Sequence, residues 1–186
     1  MPTLPPVTAH DHVRGPAPGE DAARTLIQYG DFECPFSRQV HLLVGGVLKA
    51  FPGRVRFVFR HFPVRTHAHA LQAAEAAEAA AQGAPGSSPG QAFWALHDRL
   101  FQHPLALSDN ELVMHADALG LDARAVRRAL REGTYREAVL AQKRAAVAAG
   151  VDSSLNLVID GTLYQEDDVE DALMARVVEP LKGATG

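Results

Sequence analysis

A single cysteine, Cys34, stands among 186 residues. One thiol excludes an intrachain disulfide, a Cys-x-x-Cys redox pair and every zinc or iron–sulfur site built on several cysteines. Long hydrophobic runs are missing too. No stretch approaches the ~18 consecutive apolar residues of a membrane span, and the Pro-rich start lacks the apolar centre of a secretory signal. The expectation is a cytoplasmic protein with no membrane partner. Positive charge is in short supply, since 18 Lys and Arg against 22 Asp and Glu leave a net charge of −4. That balance does not provide the basic surface that phosphate neutralisation requires, so nucleic acid is not expected as a partner. What is abundant is hydrophobic residues, 47% against 22% charged, the balance of a globular chain rather than a disordered one.

Residues 1–22 carry five of the 12 prolines and no hydrophobic periodicity, which predicts an extended tail with little regular structure before Ala23. The stretch 25–32 is short, β-branched and aromatic, and reads as a buried strand ending in a loop with Gly30 and Asp31. After Glu33 and Cys34, apolar residues at Val40, Leu43, Val44, Val47, Leu48 and Phe51 recur at spacings of three and four. This predicts a helix whose first position is Pro35, where a missing N–H costs nothing. Val55 to His61 alternates as a second strand. Strand, helix and strand in succession form a right-handed βαβ unit, which places Cys34 at a strand's carboxyl end and beside a helix N-terminus.

From His67 to Gly150 the pattern is helical. Segments reach to Gln82, then run from Gln91 to Gln102, Ser108 to Leu119, Ala123 to Glu132 and Thr134 to Ala149. Ser108 followed by Glu111 is a capping-box signature. Strands return at Leu155–Ile159 and Thr162–Tyr164 around an Asp160-Gly161 turn, and a last helix is expected over 167–181. The order predicts an α/β core made from 23–66 and 150–182, with an inserted helical subdomain over 67–149.

The chemistry centres on Cys34. Free N–H donors and the positive dipole end of a helix favour a thiolate there by up to ~2 kcal/mol. Ser37, one turn on, offers a hydroxyl that could donate to the sulfur, and Glu33 opposes the thiolate if its carboxylate turns inward. The thiol is expected to be partly exposed. The histidines give weaker signals: His41 lies two turns below Cys34, His61 ends a strand, and His67 with His69 has no third ligand in view. No metal and no cofactor are expected. Phe93, Trp94 and His97 read as core of the helical subdomain.

Several runs in order resemble the DsbA-like branch of thioredoxin-fold proteins: Asp11-His-Val-Arg-Gly-Pro16, Tyr29-Gly-Asp-Phe-Glu-Cys-Pro35, Arg60-His-Phe-Pro63, Phe93-Trp94 with His97, and Asp160-Gly161 before Tyr164. The resemblance implies a thioredoxin-like fold with a helical insertion, and thiol–disulfide exchange through Cys-Pro-x-Cys opposite a cis-proline loop. Two of its positions are altered. Ser37 stands where the second cysteine is expected, and Leu155, in Ser153-Ser154-Leu155-Asn156, stands where the cis-proline is expected. By the resemblance, Cys34 and Ser37 occupy the catalytic positions, while Pro35, Phe36, Ser154 and Leu155 occupy substrate-binding ones. A trans peptide is expected at Leu155, because holding it cis costs ~3–4 kcal/mol.

A serine hydroxyl cannot resolve a mixed disulfide. The leading expectation is therefore a redox protein in which Cys34 alone exchanges with protein or low-molecular-weight thiols and disulfides, recycled by an external thiol such as glutathione. The alternative is a redox-inactive thioredoxin-like binding domain. Glutathione transfer of the kappa class ranks lower, since those enzymes replace the first cysteine.

Overall fold

The computed structural model describes residues 4–82, 89–154, 156–165 and 168–184, so Leu155 lies outside the described residues. Its sheet begins earlier than the proline-rich start predicts. Strand β1 (His12–Arg14), β2 (Arg24–Gly30) and β3 (Val55–His61) are followed near the C-terminus by β4 (Asn156–Ile159) and β5 (Thr162–Tyr164). They form one five-stranded sheet in the order β1-β3-β2-β4-β5. β1 runs antiparallel to β3, with His12 opposite Phe59 and Arg14 opposite Phe57. That corrects the expectation of little regular structure before Ala23.

The physical reason lies in two arginines of β3. A proline-rich segment has few N–H groups of its own, so its carbonyls need donors from elsewhere. Arg60 donates through Nη1 to the Pro5 carbonyl at 2.9 Å and through Nη2 to the Pro6 carbonyl at 2.7 Å. It also bonds both Asp11 oxygens, at 2.7 and 3.0 Å, and the Tyr29 hydroxyl at 3.0 Å. Arg56 serves the next stretch, reaching the Pro16, Ala17 and Glu20 carbonyls at 3.0, 2.7 and 2.6 Å.

Helix α1 (Pro35–Ala50) connects β2 to its sheet neighbour β3, and Pro35 takes the first helical position as expected. β2 also pairs antiparallel with β4, Leu26 opposite Ile159 and Tyr29 opposite Asn156. Leu26, Ile27, Tyr29, Phe57, Val58 and Phe59 are all buried. Gly30 is required where β2 ends, because a Cβ there would fall 2.4 Å from the Phe59 ring. The β4–β5 hairpin turns on Asp160 and Gly161, both at positive φ, +46° and +84°, as a two-residue type I′ turn demands.

The last helix departs from one uninterrupted run. α7 (Val169–Leu173) widens into a π-helical turn over Met174–Val178 before helix Glu179–Gly183. Pro180 explains this, since it has no N–H for the Arg176 carbonyl four residues back and its ring crowds that oxygen. Arg24 Nε donates to the freed carbonyl at 2.8 Å.

Between β3 and β4 come α2 (Ala70–Ala81), α3 (Pro89–Gln102), α4 (Asp109–Ala118), α5 (Ala123–Glu132) and α6 (Arg136–Ala148). α2 packs against α3, α4 and α5. Its alanines allow this close approach, Ala73, Ala76 and Ala77 being fully covered, and its one buried carboxylate, Glu75, takes the Arg136 guanidinium at 3.0 Å. The Ser108–Glu111 capping box forms as the sequence predicts. By contacts the chain divides into two units: Met1–Gly30, Phe36–Arg60 and Ala145–Gly186 make one, while Asp31–Pro35 and His61–Arg144 make the other. Among the described residues no helix is long and apolar enough to cross a membrane.

The Arg60–Asp11 pair generates a stability prediction. Burial works against ionisation of Asp11, but hydrogen bonds from Arg60 and Thr8 outweigh it and hold the carboxyl below its ordinary range. The stability from a depressed carboxylate is present above its unfolded value of ~3.9 and is lost as pH falls through the folded one. Both side chains are nearly covered, so Asp11→Asn is expected to cost about 3 kcal/mol at neutral pH. Urea unfolding at several acidic pH values should show a steeper acid loss in the parent than in Asp11→Asn; parallel profiles would refute the assignment.

Candidate functional site

The β2 strand delivers the chain to a turn built around a buried carboxylate. Asp31, 1% exposed, accepts the Glu33 amide at 2.8 Å through Oδ1. Its other oxygen takes the Val64 amide and His67 Nδ1, each at 2.8 Å. The Cys34 amide closes the turn on the Asp31 carbonyl at 3.1 Å. Cys34 is thereby held at the residue preceding α1, the N-cap, as the sequence predicts. Sequence reasoning quoted Asp31 only as part of a run. Its aspartate two residues before the next amide was the available signal, since such side chains close Asx turns.

One expectation about the thiol is corrected. Cys34 is 5% exposed rather than partly exposed. The Glu33 carboxylate, which would oppose a thiolate if turned inward, accepts the His69 amide at 2.7 Å, ahead of α2.

Ser37 is fully buried, and its hydroxyl donates to the Ser154 carbonyl at 2.7 Å. Its one proton is therefore directed at a backbone oxygen and is not available to the Cys34 sulfur, which corrects the expected donation. Around this tie two buried side-chain amides donate to backbone carbonyls, while Gln28 Oε1 and Asn156 Oδ1 are buried without a hydrogen-bond donor. Gln28 Nε2 donates to the Ser37 carbonyl at 2.8 Å, and Asn156 Nδ2 donates to the Ser153 carbonyl at 2.9 Å. Gln28 and Asn156 are both at 0% exposure. The structure thus brings together Ser37 and Ser154, the two described serines the sequence singled out. Pro35 is exposed and Phe36 is 43% exposed, an apolar pair at the start of α1.

Three of the histidines are engaged by neighbours within the fold. His61 is fully buried with Nε2 3.1 Å from Glu78 Oε1, and its ring meets Phe32 and Phe93 edge-on. His97 lies among Phe32, Phe93, Trp94 and Phe101, as the core reading expects. His67 is the exception in holding Asp31.

A family model described as thioredoxin matches residues 9–178. The chain belongs to the thioredoxin family. Among solved structures, oxidised BdbD from Bacillus subtilis superposes with a TM-score of 0.81 over 97% of both chains at 17% identity. DsbA2 of Pseudomonas aeruginosa gives 0.67 at 20% identity, over 95% of this chain and 97% of that one. At these identities the likeness shows the fold, a DsbA-like thioredoxin fold carrying additional helices. A protein named Na(+)/H(+) antiporter NhaA 1 from Salinispora arenicola is 34% identical over 174 residues, 93% of this chain and 25% of that protein. The chain spans about a quarter of the length of the curated relatives it matches at either Salinispora species.

The Ser37 hydroxyl proton fixes the loop leading into β4. Ser37→Ala is expected to cost about 1–3 kcal/mol, because it leaves the buried Ser154 carbonyl without its donor. Urea denaturation of the two proteins measures this, and a change below about 0.3 kcal/mol would show that the tie contributes nothing.

Proposed function

We propose that this is a DsbA-like redox protein working with one thiol. The Cys34 thiolate attacks one sulfur of a disulfide R–S–S–R′, the S–S bond breaks, and R′–S⁻ leaves as Cys34 becomes a mixed disulfide with R. An external thiolate, such as that of glutathione, then attacks the R sulfur, forms the second disulfide and returns Cys34 as a thiolate. No net electrons are gained or lost by the protein over the cycle. Protein and low-molecular-weight thiols and disulfides are the substrate class.

The observation that carries this reading is the placement of the chain's only thiol at the N-cap of α1, on a turn anchored by Asp31. That position lies where a helix leaves its first N–H groups without intrahelical acceptors. Pro35, Phe36, Ser154 and Leu155 remain the proposed substrate-contacting set, with Ser37 in a supporting role.

A second reading has its own support. Burial of Cys34 and the loss of a resolving thiol suit a thioredoxin-like module that binds a partner without turnover. The match to a quarter of antiporter-named proteins supports a module that can be joined to a larger chain.

Incubation with oxidised glutathione under native conditions, followed by intact mass spectrometry, separates the readings. One glutathione per chain is expected, reversed by reduced glutathione and absent in Cys34→Ser. A thiol that reacts only after denaturation would sink the exchange proposal and leave the binding module.

A further consequence concerns catalysis of disulfide formation in a reduced client. An intramolecular resolving group can act at an effective concentration of ~10⁵ M or more, against millimolar free thiol. The protein alone is expected to form no client disulfides catalytically, while Ser37→Cys gains measurable activity and Leu155→Pro raises it further. Robust oxidation by the parent without added thiol would contradict this.

A further inference from the structure

In the helical unit, the connection between α3 and α4 is held by a histidine with two committed ring nitrogens. His115, on α4 and 7% exposed, accepts from Arg99 Nε at 3.0 Å through Nδ1. An acceptor carries no proton, so Nδ1 is bare. Its Nε2 lies 2.9 Å from the Ala106 carbonyl, which can only accept, so Nε2 carries the hydrogen. These two partners together specify a neutral ring in one tautomer. The His103 ring stacks on it, with centroids 5.1 Å apart and planes 25° apart. Ala106 belongs to a turn whose amide bonds the His103 carbonyl at 3.0 Å. Beside it Leu107 is buried and Leu105 is 97% exposed.

We propose that His115 is an acid-released latch: its neutral ring joins Arg99 of α3 to the Ala106 turn, and protonation at Nδ1 detaches Arg99 and loosens residues 103–108. A proton there turns the acceptor of the Arg99 bond into a second donor, so the bond is lost and a cation faces a guanidinium. His103 adds a further positive charge when it ionises.

The charges that act on His115 come from both helices. Burial pushes its protonation below the ordinary histidine range; the Ala106 carbonyl opposes this, Arg99 and His103 reinforce it, and Glu111 opposes it weakly. Glu111 is itself engaged by the Ser108 amide and hydroxyl, at 2.9 and 2.6 Å, and feels His69. The direction of the pH effect follows. A loosened His115 titrates at ~6.5 and the latched one lower, so the loosened form binds more protons and gains population as pH falls between those values. One extra proton allows at most about a tenfold change in that population per pH unit.

Amide exchange on the full-length protein, corrected for intrinsic rates, reads the latch across pH 7.5 to 5. Protection at residues 103–108 is expected to fall up to about tenfold per pH unit below ~6.5, while α5 amides stay unchanged. His115→Gln, which does not titrate, should abolish the fall, and Arg99→Met should move its midpoint upward. Unchanged protection in the parent, or the same fall in His115→Gln, overturns the proposal. Nitrogen-15 spectra of the parent's histidines decide independently of either variant's folding. A His115 that stays neutral down to pH 5, or that protonates without disturbing the Ala106 amide, overturns it as well.

Discussion

A carboxylate that water cannot reach must find its partners in the protein, and Asp31 is where that constraint fixes the most chain. Its oxygens collect the Glu33 amide, the Val64 amide and the His67 ring. Three separate points, the exit of β2, the segment after β3 and the approach to α2, are bound to one side chain. Losing any donor would leave part of a buried charge uncompensated, which costs more than the bond itself contributes. The turn that carries Cys34 therefore has little freedom. It matters for chemistry because a helix N-terminus stabilises an anion only within its first turn.

A second constraint acts at the beginning of α1. Where a dithiol relative would keep a reactive sulfur, this chain keeps Ser37, and the oxygen behaves as oxygens do in buried places. It donates a short bond to the Ser154 carbonyl, something a thiol does weakly. The hydroxyl at 37 therefore serves as a structural bond. The flanking pairs, Gln28 with the Ser37 carbonyl and Asn156 with the Ser153 carbonyl, extend the tie into β2 and β4. Ser37, Ser154 and their flanking amides are thus one hydrogen-bonded arrangement.

Elements with a strong local pattern were legible in the sequence. β3, α5 and β5 fall on the residues their alternation or caps indicate, and Pro35 marks the first residue of α1. What escaped depends on partners remote in sequence. β1 forms because Arg60 and Arg56, some 40 to 55 residues away, supply donors to a proline-rich stretch. The π turn reflects Pro180 and the bond from Arg24 to the Arg176 carbonyl, donor and acceptor lying 152 residues apart. At the site, the position of Cys34 was legible because it follows from a strand end and a helix start. Its burial, the direction of the Ser37 hydroxyl and the engagement of Glu33 with the His69 amide were not, since each is settled by which distant group is nearest.

The same logic explains what the histidines do in the fold. A histidine reads as a candidate base from sequence because its intrinsic protonation lies near neutral pH. In the folded protein the ring's two nitrogens are as easily consumed by structure. His67 is committed to Asp31, His61 faces Glu78 within an aromatic cluster, and His115 is fixed between Arg99 and Ala106. Of these, His115 faces a cation through the very nitrogen that acid would protonate. Its neutral state is thus a condition of the local packing. At His115 burial and the partners at both ring nitrogens together set the response to acid.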